Sequence, residues 1–220
     1  MTEYATPTRT ATVPAGDSDL AARIVALVGS RLCHDLISPL GAIGNGVELL
    51  QMAGDWPGLQ QSPEMSLIED ALRAARARIT CFRIAFGATG GAQRVSPAEL
   101  AALVADVEKA GRMRITLEAP GDHGRGHVKL MMLALMCLET AMPWGARVTI
   151  RQQGRDWILI AEAERTRHDP ALWGWLDGPR AGRTEPAASE VHFPLLGLAA
   201  AEMGRTIRWS LTDSGAQIAF

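Results

Sequence analysis

One short stretch of the sequence, from Arg31 to Leu40, combines residue types that are able to carry out group-transfer chemistry. His34 precedes Asp35, and a Ser-Pro step follows at Ser38 and Pro39. A neutral imidazole on the solvent side of a helix is a nucleophile at neutral pH, because its ordinary pKa is about 6.5. Asp35 is placed to orient the ring or to accept its proton. The pattern predicts that the His34 imidazole reacts with a phosphoryl group; the alternative is an ordinary surface or capped histidine without a chemical role.

A long amphipathic helix has to position this histidine. Apolar residues recur at helical spacing from Leu20 onward, after a capping residue at Asp17 or Ser18, and the pattern resumes at Val47. Side chains three or four positions from His34 share its face, whereas the apolar side chains lie opposite. The first group is Ser30, Arg31, Ile37 and Ser38, and the second is Leu32, Leu36, Leu40 and Ile43. Pro39 is expected to kink the helix.

A second helix is predicted from about Glu64 to Phe86, after a connector at residues 53–63. Ser62 is suited to cap it, and Pro63 is suited to its first turn. Its apolar stripe includes Leu72 and Ile79. Two antiparallel helices alone cannot bury both stripes, so two copies of this hairpin, residues 17–87, are expected to form a dimeric four-helix bundle.

The Gly-rich link at residues 87–92 predicts a domain boundary, and residues 94–220 alternate between helix and strand signals. The predicted helices are 96–110, 129–141, 170–176 and 194–203. The predicted strands are 113–118, 147–152, 157–163, 206–211 and 216–220. Helices on one face of a mixed sheet form an α/β sandwich, so the fold class is α+β.

Composition excludes several function classes. The chain has 220 residues, 47% of them hydrophobic, and a formal charge of −2, so it has a packed core and no basic footprint for nucleic acid. Its three cysteines, Cys33, Cys81 and Cys137, lie in apolar helical patterns that favour buried thiols in a reducing compartment. No apolar run is long enough for a membrane span, and residues 1–16 are expected to be a flexible tail without signal-peptide features. These patterns predict a cytoplasmic protein.

The run from Arg31 to Leu50 resembles the ChpT family of histidine phosphotransferases, and the order of elements after residue 94 resembles the ATP-binding domain of histidine kinases. The resemblance implies a dimer that relays phosphate between receiver domains through His34. It implies a hybrid kinase of the CckA type as donor and regulators of the CtrA or CpdR type as acceptors. No cofactor is expected in this chain, since the receiver supplies Mg²⁺. The resemblance also implies a helix that continues through Gly44-Asn45-Gly46, which local pattern alone interprets as a turn.

Three nucleotide-binding elements of such kinases are degenerate here. Met136 takes the position of the metal-binding asparagine, and a thioether does not replace a hard oxygen ligand. Residues 160–167 lack both glycines of the adenine loop. The phosphate lid is reduced to Leu195–Leu198, with a single glycine. ATP binding is therefore not expected.

The receiver is expected to dock along the exposed side of the first helix around His34. The predicted docking residues are Ser30, Arg31, Ile37, Ser38, Gly41, Ala42 and Asn45. The alternative is that some of the small residues in this set face the dimer partner and not a receiver. Two other functions stay open, a dimeric adaptor that carries no phosphate and an ATP-dependent histidine kinase. The remaining histidines, which are His123, His127, His168 and His192, are predicted to be solvated loop residues without a metal.

Overall fold

The computed structural model describes residues 15–53, 62–87, 93–167, 169–178 and 185–220. Residues 1–14 of the predicted flexible tail fall outside these residues, whereas Ala15 and Gly16 already belong to the first helix, which therefore begins before the predicted cap at Asp17 or Ser18. Most of the predicted interhelical connector, most of the Gly-rich link, and His168 also fall outside the described residues.

The chain begins with a two-helix hairpin. Helix α1 is Ala15–Ala53, and it runs without interruption through Pro39 and Gly44. The continuous helix that the family resemblance implied is confirmed, and the local turn signal is overridden by packing on the next helix. Helix α2 is Pro63–Ala85, and its Ser62 Oγ accepts a hydrogen bond of 3.1 Å from the backbone N–H of Met65. The predicted cap is thus confirmed.

The rest of the chain forms an α/β sandwich around a five-stranded mixed sheet. Its strands are β2 Met113–Glu118, β4 Ala146–Gln153, β5 Asp156–Glu162, β6 Arg208–Thr212 and β7 Gly215–Ala219. They lie in the order β2-β4-β5-β7-β6, in which β2 and β4 are parallel and the other neighbours are antiparallel. Strands β1 Arg94–Val95 and β3 His123–Gly124 form a separate antiparallel ribbon that the sequence did not predict.

Helices cover the inner face of this sheet. They are α3 Pro97–Ala110, α4 Arg125–Ala141, α5 Pro170–Trp173 and α6 His192–Glu202, with 3-10 turns at Gly174–Asp177 and Ala188–Glu190. A single buried cluster joins them to the end of α2 through Phe82, Ile84 and Ala85. The α+β fold class is confirmed. Helix α4 begins four residues before the predicted Lys129, because glycines at 124 and 126 weaken the helix signal there.

Two of the histidines predicted to be solvated are buried instead. His123 is 7% exposed; its Nε2 lies 3.3 Å from the Ala119 carbonyl, and its ring packs edge-on against Trp157. His192 is fully buried in the first turn of α6. Both predictions were wrong because a loop or helix-start assignment from sequence does not reveal which way the residue faces in the tertiary fold.

No helix in the described part of the chain combines the length and apolar character needed to cross a membrane.

Candidate functional site

His34 lies near the middle of the 39-residue helix α1. The structure describes its backbone as helical, and the same holds for Ser30 and Ile37. The charged side chains described near it are Arg31, one turn before His34, and Asp35, which directly follows it.

Arg31 and Asp35 form an ion pair along α1 that spans the histidine in sequence. Arg31 Nε lies 2.6 Å from Asp35 Oδ2, and the two side chains are only 12% and 9% exposed. Helix α2 adds a second cation, since Arg78 Nη1 lies 3.9 Å from the same carboxylate oxygen. The carboxylate beside His34 is thus held between two guanidinium groups from the two helices of the hairpin.

Arg78 was not singled out from the sequence. It belongs to the polar residues of α2, and no spacing rule relates a residue of α2 to one of α1, because their pairing depends on how the two helices align. The prediction that Arg31 lies near His34 used the helical period alone. The same period gives no information about α2.

The α/β sandwich also reaches this site. Arg31 Nη1 donates a hydrogen bond of 2.5 Å to the backbone carbonyl of Ser189, in the 3-10 turn that precedes α6. Three residues after Ser189, His192 Nε2 lies 3.0 Å from Thr140 Oγ1 of α4. Burial, reinforced by the positive charge of Arg31, lowers the pKa of His192 to about 3, so this ring is neutral at physiological pH.

The thiols of Cys81 and Cys137 are unreactive by the same reasoning. Cys81 lies on α2 near the charges of Arg78, Arg31 and Asp35, and burial raises its pKa to about 11. Cys137 of α4 is fully buried, and burial raises its pKa well above the usual value for a thiol. Neither of these two thiols is therefore a significant thiolate nucleophile at neutral pH. Within the described residues, no three histidine, cysteine, aspartate or glutamate side chains are grouped to hold a metal ion.

The predicted docking residues differ in accessibility. Ser38, Gly41 and Asn45 are exposed, and a β-carbon added at Gly41 would have no neighbouring atom within 4 Å. Ala42 is half-buried, and Arg31 is largely buried against Asp35 and Ser189. A partner that approaches His34 meets open helix surface on the C-terminal side of the histidine.

The face of α4 that carries Met136 is covered by the hairpin. Met136 lines a cavity of about 30 Å³ together with Ala77, Arg78 and Cys81 of α2, and it is 6% exposed. The single glycine of the reduced lid, Gly197, packs on the backbone of the 3-10 turn at 174–177, where an added β-carbon would lie 2.7 Å from the Trp175 carbonyl. Met136 and Gly197 therefore both pack against neighbouring elements of this chain.

Comparison with known proteins gives a consistent result. The family model for the histidine phosphotransferase C-terminal domain matches residues 97–215. The protein phosphotransferase ChpT of Brucella abortus (strain 2308) is 35% identical over 133 residues, which span 60% of this chain and 61% of that protein. A solved structure of a bacterial phosphotransferase superposes with a TM-score of 0.74 at 27% identity, and the match covers 94% of this chain and 97% of that one.

Proposed function

Because the chain belongs to the ChpT family of histidine phosphotransferases, we propose that it relays phosphoryl groups in a two-component phosphorelay through a phosphohistidine at His34. One observation carries the proposal. His34 lies on a continuous helix between Arg31 and Asp35, whose ion pair fixes that turn, and the helix surface beyond it is open at Ser38 and Gly41. This is the arrangement that a helix-borne imidazole needs to meet a large protein partner.

The transfer step requires little of this chain. A ring nitrogen of His34 attacks the phosphorus of an aspartyl phosphate on a receiver domain, so that a P–N bond forms as the P–O bond to the carboxylate breaks. The carboxylate leaves with the electron pair of that bond. The receiver supplies Mg²⁺ to balance the charge on the phosphoryl oxygens. Transfer to a second receiver is the reverse reaction, with an acceptor aspartate as nucleophile.

Asp35 acts in this scheme as an orienting group. Asp35 directly follows His34. Its Oδ2 lies 2.6 Å from Arg31 Nε and 3.9 Å from Arg78 Nη1. A carboxylate fixed in this way stabilises one orientation and one tautomer of a neighbouring imidazole, and it stabilises the positive charge of the phosphorylated ring. The proton of the ring can pass to Asp35 or to water.

The proposal includes a homodimer. Large apolar side chains on the hairpin are exposed in the single chain, among them Leu40 and Val47 of α1 and Leu72 and Ile79 of α2. A second copy that buries these side chains completes a four-helix bundle. The proposed partners are a receiver domain of a hybrid kinase of the CckA type and regulators of the CtrA or CpdR type, in the cytoplasm.

The proposal excludes ATP as the phosphoryl donor. Helix α2 packs over Met136, and Gly197 is committed to contact with the Trp175 backbone. Both features oppose nucleotide binding by this sandwich. Titration with a fluorescent nucleotide tests this part, and micromolar affinity would overturn it.

The experiment that tests the function uses two receiver domains and no ATP. The first receiver is labelled with radioactive acetyl phosphate, freed of the reagent and mixed with the protein, and the second receiver is then added. We expect label to pass through the protein to the second receiver, and to stay on the first with the His34→Gln variant. Receivers that bind without any movement of label would identify a non-catalytic adaptor and contradict the proposal.

A further inference from the structure

We propose that the α/β sandwich positions the phosphoryl-carrying helix through a clamp made of Arg31, Ser189, Glu190 and Arg167. The inference rests on the proposed function and assigns a further role to the sandwich, namely control of the transfer rate. These residues come from α1, from the 3-10 turn before α6 and from the segment after β5. Nothing in the chemistry of His34 alone requires such a connection.

The first contact of the clamp is made by one guanidinium group. Arg31 reaches Ser189 of the sandwich through Nη1 at 2.5 Å and Asp35 of its own helix through Nε at 2.6 Å. Arginine presents its donors in a rigid planar fork, so these two contacts fix each other's geometry. The side chain is only 12% exposed, so water and salt screen these contacts less than those of a surface pair.

The second contact holds the turn that provides the Ser189 carbonyl. Glu190 Oε1 lies 3.1 Å from Arg167 Nη2, and Glu190 Oε2 accepts a hydrogen bond of 3.1 Å from the backbone N–H of Ala187. Arg167 is itself tied down, because its backbone N–H donates to the Ala141 carbonyl at 2.7 Å. A continuous path of polar contacts therefore runs from the end of α4 to α1.

The far side of the turn is also fixed. Val191 and His192 follow it directly and are fully buried, and the His192 ring contacts Thr140. The turn is held on both sides by the sandwich, and its carbonyl is offered to Arg31. Movement of the turn away from α1 would break a buried contact or an ion pair.

The position of Arg31 suggests a role in transfer as well as in stability. Arg31 lies one helical turn before His34, and its ion-pair partner Asp35 directly follows His34. A phosphoryl transfer depends steeply on the alignment of the attacking nitrogen, and misplacement by about 1 Å costs up to roughly a hundredfold in rate. A clamp on this turn sets that alignment while leaving the docking surface at Ser38 and Gly41 untouched.

The test breaks the clamp at its point farthest from His34. Glu190→Gln keeps the shape of the side chain and its ability to accept from Ala187, but removes the charge that attracts Arg167. We expect the rate constant for transfer at saturating phosphorylated receiver to fall about tenfold, whereas the half-saturating receiver concentration changes less than about twofold. Arg167→Gln breaks the same pair from a more exposed residue and should give the same result.

The matched control is Glu118→Gln. It breaks the pair between Glu118 and Arg151, which are 2.7 Å apart on neighbouring strands of the sheet and are about half exposed. We expect wild-type transfer from this variant. A loss equal to that of Glu190→Gln would show that charge removal anywhere slows transfer, and would overturn the clamp.

A double substitution tests whether the path runs through Arg31. Arg31→Lys cannot make both contacts of the guanidinium group, so it should slow transfer by itself. Adding Glu190→Gln should then cause little further loss, since both act on one path. Independent, multiplicative losses would contradict the proposal. The proposal would also be contradicted if the clamp variants transferred at the wild-type rate, or if they changed only the affinity for the receiver. Absence of transfer by the wild-type protein would instead refute the proposed function.

Discussion

Gly46 of α1 lies directly against Ile68 of α2, with no room for a β-carbon between them. An added β-carbon would overlap Ile68 Cγ1 and lie 3.4 Å from the Glu64 carbonyl, and Gly46 is itself buried. Gly44, two residues earlier, is exposed and would place its β-carbon in open space. The two glycines of the Gly-Asn-Gly segment therefore have different roles, and Gly46 sets the distance between the helices of the hairpin.

This difference predicts opposite effects on stability. Gly46→Ala forces the helices apart, and overpacking of this kind costs about 1–3 kcal/mol, which outweighs a helix-propensity gain of up to about 1 kcal/mol. Gly44→Ala keeps only the propensity gain. Urea denaturation should therefore show a lower midpoint for the first variant and an equal or higher one for the second. Stabilisation by both substitutions would show that the hairpin does not pack as described.

The exposed apolar residues of α2 predict where the dimer forms. Leu72 and Ile79 are 40% and 51% exposed, so Leu72→Asp or Ile79→Asp should yield a folded monomer by light scattering, because the charge is buried only on association. Leu67 is 43% exposed but lies roughly 140° around the helix from Leu72, at about 100° per residue. Leu67→Asp is thus the control, and it should stay dimeric. A monomeric wild-type protein would contradict the bundle.

His192 predicts a specific loss of stability in acid. Its pKa is about 3 in the folded protein, compared with about 6.5 in the unfolded chain. Protonation therefore favours unfolding, and the stabilisation present above pH 6.5 is lost as the pH falls toward 3. His192→Gln can still hydrogen-bond to Thr140 but does not titrate. The free energy of unfolding of the wild type should fall faster than that of the variant below pH 6, by up to about 1.4 kcal/mol per pH unit. Parallel pH profiles would contradict the buried, neutral ring.

The open surface beyond His34 predicts where a receiver docks. Gly41→Gln adds bulk where the chain itself has no neighbouring atom, so it should raise the half-saturating receiver concentration without lowering the melting temperature. Gly44→Gln adds the same bulk one turn along but outside the predicted docking set. It should leave transfer unchanged if this set is right. If Gly41→Gln and Gly44→Gln slow transfer equally, the docking surface is not the predicted one. If Gly41→Gln lowers the melting temperature, Gly41 lies in a contact within the folded protein or its dimer and not on a free docking surface.

The elements with local signals were the ones that the sequence could predict. Ser62 and Ser96 mark the starts of α2 and α3, and Ser96 forms a reciprocal cap with Glu99 in which the carboxylate accepts from the Ser96 backbone at 2.8 Å. Strands β2 and β5 were predicted at 113–118 and 157–163 from alternation of apolar and polar residues, and they are observed at Met113–Glu118 and Asp156–Glu162. These signals need only a few neighbouring residues.

The contacts around the site could not be predicted in this way. Arg31 and Ser189 are separated by 158 residues, and the approach of Arg78 to Asp35 depends on the alignment of two helices whose connector carries no alignment signal. The burial of His192 has the same origin, because the partner Thr140 lies on a different helix. Local spacing therefore singles out His34 as a candidate, whereas the contacts among Arg31, Asp35 and Arg78 are visible only in the folded structure.

Transfer through His34 is tested most directly by locating the phosphoryl group on the protein itself. After incubation with a receiver phosphorylated by acetyl phosphate, and removal of the reagent, the protein is digested at alkaline pH and its peptides are analysed by mass spectrometry. We expect one phosphorylated site, at His34, that is lost on brief acid treatment, survives alkali and is absent from His34→Gln. Phosphate on another residue, an acid-stable modification, or unchanged labelling of His34→Gln would contradict transfer through His34.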